Sequence, residues 1–205
     1  QGGPGCYVDD NGCWTGKFHQ RTSGIIIPVF GVDGLIRGAQ IRLDHPLKDK
    51  DDPPEKTGVK YLTLSSTGKR MGTTSGSPIH FVGDPCSRVV YVTEGCLKAE
   101  GALALMLRTF VATLGANNTA KRDELFAFLH RNGTEEIIEA EDMDKYSNEM
   151  VGKGASKIYA LAARHGMRCR RLTWNPNYKG IDDWQLALRR KEQKMKEDPE
   201  MTFKE

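Results

Sequence analysis

No apolar run in these 205 residues approaches the roughly 18 residues a membrane helix needs, so a spanning helix is excluded. Cysteine is sparse and badly arranged for metal or disulfide frameworks. There are 5, an odd number, with no C-x-x-C pair and no histidine at zinc-finger spacing. They read as reduced cytosolic thiols. Cys6 and Cys13 could bind a metal only with help from His19 or from another chain. The net charge of +3 is too small for an overall basic signature, so any anionic partner must be met by a local patch. No secretory leader is visible, and an opening Gln1 in place of Met reads as part of a longer protein. The expected location is the cytoplasm. With 38% hydrophobic and 28% charged residues, the chain has a globular composition and room for one large domain or two small ones.

The chain changes character near Asp84-Pro85. Before it, Gly-rich turns surround short strands. Gly24 to Phe30 reads as a strand, Val32-Asp33-Gly34 as a type I′ hairpin turn, and Leu35 to Leu43 as the return strand. Residues 44 to 58 carry charge and proline and read as a loop. Lys60 to Ser66 and Ile79 to Val82 read as further strands of this half. After Asp84, apolar strands alternate with helical patterns from residue 88 to 196. That alternation predicts an α/β unit, a mostly parallel sheet with helices on both faces. The expected division is 1–85 as a β-rich basic subdomain, 86–196 as the α/β domain, and 197–205 as a charged tail.

In parallel sheets, sites form at the carboxyl ends of strands. The first strand of the second half ends at Glu94, followed by Gly95, which would allow close approach of a ligand to the backbone. The third ends at Asp142 and Asp144. The fourth leads into the loop bearing Asp182 and Asp183. Taken alone, Asp142-Met143-Asp144 is either an acidic surface loop or a pair of carboxylates gathered on a divalent metal. Three strand ends that deliver acids to one edge favour the metal. Oxygen donors of this kind suit Mg2+ or Mn2+ rather than zinc. Asp182 has a competing structural reading as the N-cap of the last helix. Glu139 and Glu141 alternate with Ile138 and Ala140 and are expected on a solvated strand face.

At these residues the chain resembles a known family. Val92-Thr93-Glu94-Gly95, Asp142-Met143-Asp144 and Lys179-Gly180-Ile181-Asp182-Asp183 resemble the Toprim domain of bacterial-type primases, topoisomerases and some nucleases. Val111 to Gly115 resembles the second-strand segment of bacterial primases. Ahead of these, Gly24 to Val29, Asp33 to Gly38, Ile41-Arg42 and Lys60-Tyr61 resemble, in order, the segment before the Toprim domain of replicative primases. The matches are most similar to primase-like Toprim domains of phages and mobile elements. The chain departs from the pattern where Lys145 to Asn148 follow the acid pair and where Thr63 stands two residues after Tyr61.

The resemblance implies a Toprim-type, Rossmann-like four-stranded sheet behind an N-terminal mostly-β subdomain. It also implies a nucleotidyltransferase that makes short primers from NTPs on single-stranded DNA. Glu94, Asp142 and Asp144 would hold Mg2+ or Mn2+, with Asp182 or Asp183 auxiliary. Arg42 and Lys60 would meet nucleotide phosphates or template backbone. Tyr61 would stack on a base or simply fill the strand. Lys98 and Lys179 would neutralise the acids or reach a phosphate. A replicative helicase domain is expected in the parent protein. Two other readings stay open: a Toprim nuclease or topoisomerase-related fragment, and a non-catalytic nucleic-acid-binding module.

Overall fold

A computed structural model describes residues 2–17, 23–53, 55–114, 119–143 and 149–197. His19, Asp144 and residues 198–205 therefore lie outside the described residues, as do 115–118 and 145–148. The chain divides into two compact units, Gln1–His80 and Phe81–Glu205. Among the described residues, no helix is long and apolar enough to cross a membrane.

The first unit is antiparallel. β1 (Cys6–Val8) pairs with β2 (Trp14–Gly16). β3 (Gly24–Phe30), β4 (Ile36–Leu47) and β5 (Val59–Thr63) form a sheet with β4 in the middle. Pro28 is tolerated because β3 is an edge strand, where a missing ladder donor can face away from the sheet. The turn between β3 and β4 is not type I′. That type needs positive φ at two successive residues, and here Gly34 has it (φ 72°) while Asp33 does not. Instead Gly34 N–H bonds to Gly31 O and Gly31 N–H to Leu35 O, a longer loop closed by a left-handed glycine. β4 also runs further than its charged tail suggests. Leu47 pairs with Val59 after a register shift, so only the stretch between them is loop.

The second unit carries a five-stranded sheet, whose edge strand Ile79–Val82 begins two residues before the unit boundary. β6 (Ile79–Val82), β7 (Val89–Glu94), β8 (Thr109–Thr113), β9 (Glu136–Glu139) and β10 (Arg168–Arg171) lie in the order β10-β9-β7-β8-β6. β7 is parallel to both β8 and β9, and β9 to β10. The sheet thus has one strand more than the four expected. The extra strand is β6, which the sequence groups with the first half. Helices α1 (Cys96–Met106), α2 (Thr119–Arg131), α3 (Glu149–Arg164) and α4 (Ile181–Glu197) follow the strands. α1 packs on α4, and α2 on α3.

Continuous apolar strands explain this burial. Val90, Val92, Phe110, Val111, Ile137 and Ile138 are all fully buried. Each contributes roughly 1.5–3 kcal/mol over exposure, enough to fix the centre of the sheet whatever the loops do. On one face, Ala99, Ala102, Phe110, Ala140, Trp174 and Ile181 belong to one buried cluster, with Tyr91 and Trp184 against it.

Candidate active site at the carboxyl edge of the sheet

Register sets the site. Val92 of β7 lies opposite Glu139 of β9, and Ala140 N–H donates to Val92 O at 2.8 Å. β7 and the segment after β9 therefore end at one edge. Glu94 closes β7 there, and Gly95 (φ 74°) turns the chain into α1. Asp142 lies three residues beyond β9.

Asp142 is 2% exposed. Lys98 Nζ, from the first turn of α1, donates to its Oδ1, and Lys179 Nζ lies 3.7 Å from Oδ2. A carboxylate this buried is costly unless compensated, and removing one partner of such a pair typically costs about 3–5 kcal/mol. The backbone ties the same segments together, because Met143 N–H donates to Lys179 O at 3.1 Å.

Asp182 sits beside this pair. α4 begins at Ile181, so Asp182 lies inside the first turn and is not the N-cap. Burial first, and then the neighbouring Asp183 carboxylate, holds Asp182 above the ordinary carboxylate range, with Lys98 pulling the other way. Its Oδ1 is buried with no hydrogen-bond partner among the described residues. A Cβ at Gly180 would fall 2.3 Å from that oxygen, so a side chain there would push the Asp182 carboxylate aside. Asp183 is exposed.

The other face of the same edge holds a second charged group. Strand alternation sends Tyr91 towards the α1 and α4 cluster and Glu94 towards the opposite face. There Arg122 of α2, 3% exposed, donates from Nη2 to Thr113 Oγ1 at 2.7 Å and lies 3.7 Å from Glu141 Oε1. Burial pulls the Arg122 guanidinium below its ordinary value, while the Glu141 and Glu94 carboxylates push it back up. Glu139 is fully buried, and Arg171 Nε donates to its Oε2 at 2.8 Å. Glu141 is 3% exposed. The expected solvated face for Glu139 and Glu141 is thus wrong. Their alternation is as expected, but helices cover both faces of a parallel sheet, and Arg122 and Arg171 compensate the buried acids. No sequence signal separates Arg122 from its neighbour Lys121, which is exposed.

The described acids are therefore divided. Asp142 and Asp182 gather around Lys98, and Glu94 and Glu141 around Arg122. Among the described residues no group of three or more His, Cys, Asp or Glu side chains is placed to hold a metal ion. Asp144 lies outside them. The donors on the Asp142 side are all carboxylate oxygens. One of these, Asp182 Oδ1, is buried without a hydrogen-bond partner among the described residues, a chemistry that fits a hard divalent cation. Cys6 and Cys13 are free and exposed.

In the first unit, the register aligns Arg42 with Ile25 on one side and Tyr61 on the other. Arg42 and Lys60 are exposed, and Ile25 and Tyr61 are 58% and 44% exposed. A guanidinium flanked by an aliphatic and an aromatic side chain is suited to a phosphate with an adjacent base.

This fold is that of the primase catalytic core, and solved structures of bacterial primases share it. The Aquifex aeolicus primase (zinc-binding and RNA polymerase domains) matches with TM-score 0.58 and 16% identity, covering 91% of this chain and 43% of that one. The RNA polymerase domain of Mycobacterium tuberculosis primase DnaG matches with TM-score 0.56 and 16% identity, over 90% of this chain and 58% of its own. The DnaG primase catalytic domain bound to ssDNA matches with TM-score 0.53 and 17% identity, over 91% and 57%. The chain spans about half the length of these structures. No family model and no curated protein matches the sequence.

Proposed function

We propose that the chain is the catalytic core of a phage or mobile-element primase, a metal-dependent nucleotidyltransferase that makes short primers on single-stranded DNA. The observation that carries this reading is Asp142. It is a buried carboxylate at the carboxyl edge of a primase-type sheet, flanked by Lys98 and Lys179 and by Asp182.

Asp142 and Asp182 would hold Mg2+ or Mn2+, with Asp144 and Asp183 assigned by the Toprim resemblance; the resemblance also assigns Glu94, whose carboxylate acts on Arg122 on the other face of the edge. A divalent ion held there would supply the charge neutralisation that a leaving pyrophosphate and an attacking 3′-hydroxyl require. Lys98 and Lys179 bring positive charge to the triphosphate. Arg42 and Lys60 hold phosphates of the nucleotide or template, and Tyr61 stacks on a base. NTPs and a DNA template are the substrates under this reading, and a replicative helicase domain is the expected neighbour in the parent protein.

The test is incubation with single-stranded DNA, labelled NTPs, and Mg2+ or Mn2+. New short oligonucleotides that disappear with Asp142→Ala support the proposal. Cutting of the DNA without synthesis would move the assignment to a nuclease. Binding without either product would move it to a non-catalytic module.

A further inference from the structure

A groove of about 690 Å3 runs along α4 from Lys179, the residue whose ammonium faces Asp142. Lys179, Asp183, Leu186, Arg190, Lys191 and Lys194 line it, with Tyr178 at its head. Positions 183, 186, 190 and 194 recur at helical spacing and so share one face. From Asp183 to Lys194 that face is about 16 Å long, at about 1.5 Å per residue.

Four cations and one carboxylate line this groove. Among the described residues, Arg190 and Lys194 have no acidic partner. The cations therefore leave a local positive field on a chain whose net charge is only +3. Leu186, 38% exposed, and half-buried Tyr178 add apolar surface. A basic track beside aromatic and apolar surface is what single-strand sites combine. A free nucleotide would not need a track this long. Lys179 joins groove and site, because its side chain lines the groove and its Nζ lies 3.7 Å from Asp142 Oδ2.

We propose that the α4 groove holds the phosphate backbone of single-stranded nucleic acid engaged at the Asp142 site. The inference rests on the nucleotidyl-transfer reading.

The test is fluorescence anisotropy of a labelled oligothymidylate titrated with the whole chain at several salt concentrations. The double variant Arg190→Gln with Lys194→Gln removes two exposed cations and no packing. Two lost phosphate contacts lower the salt slope by about 1.4, which is about 25-fold in affinity at 0.1 M salt. A control neutralises Arg108 and Arg131, which are exposed at other places on the second unit. An equal loss in the control would reduce the effect to bulk charge and overturn the proposal. Unchanged binding by the α4 variant would also overturn it, while leaving primer synthesis intact. Tighter, α4-dependent binding of a duplex would overturn the single-strand assignment. Binding that depends on α4 in a chain that makes no primers would support the groove and overturn the catalytic reading. Absence of any binding by the wild-type chain would overturn both.

Discussion

Changing Arg122 to Met tests the charged group on the α2 face. The substitution keeps an unbranched apolar stem and removes the guanidinium. It deletes the 2.7 Å bond to Thr113 and leaves Glu141, 3% exposed, and Glu94 without that cation. Breaking a buried pair costs about 3–5 kcal/mol. The 3.7 Å separation from Glu141 is longer than a hydrogen bond, so the attraction is Coulombic and the lower end applies. At a urea slope of about 2 kcal/mol/M, a loss of about 3 kcal/mol moves the midpoint down by about 1.5 M. Adding Glu141→Gln removes the charge that faced Arg122, so the double variant should be more stable than the two single losses sum to, by about 1–2 kcal/mol. The assay is urea unfolding followed by tryptophan fluorescence in a Trp14→Phe background. Trp174 and Trp184 then report only on the second unit. A midpoint within about 0.5 M of wild type, or single losses that add within about 0.5 kcal/mol, would refute the reasoning.

Phe126 is fully buried on α2, and Phe126→Ala should cost about 3–5 kcal/mol in the same urea assay. Thiol labelling of the native chain should be fast at exposed Cys6, Cys13 and Cys86 and slow at Cys169, whose thiol burial raises to about 11. Cys96, pushed up to about 12 by burial, should label only on unfolding, as peptide mapping would reveal. Asp123 is held below the ordinary carboxylate range, first by its bond to His165 and then by Arg164. A depressed acid stabilises above its unfolded pKa and loses that contribution as pH falls through the folded one. The melting-temperature gap between wild type and Asp123→Asn should therefore be open near neutrality and close in acid.

Much of the second unit is legible because its strands carry their own signal. Val89 to Glu94 and Thr109 to Thr113 are short apolar runs separated by helical periods, which leaves few topologies. The edge where acids collect follows from that order alone. Other features are set by partners that sequence does not name. Ile79-His80-Phe81-Val82 is too short to specify a sheet, and it joins β8 at the edge of the second one. The spacing of Glu139 and Glu141 says that they share a face. It cannot say that Arg122 and Arg171 wait on that face. Lys98 near Glu94 is expected from the short link into α1, yet its ammonium reaches Asp142, because a lysine side chain spans the gap between neighbouring strand ends.

The central claim is that chemistry happens at Asp142. The direct measurement is incorporation of labelled NTP on a single-stranded DNA template by wild type and by Asp142→Asn, with melting temperatures recorded for both. The account predicts primer-length products from wild type and a loss of about 100-fold or more in a variant that remains folded. Equal incorporation by the two proteins would contradict it.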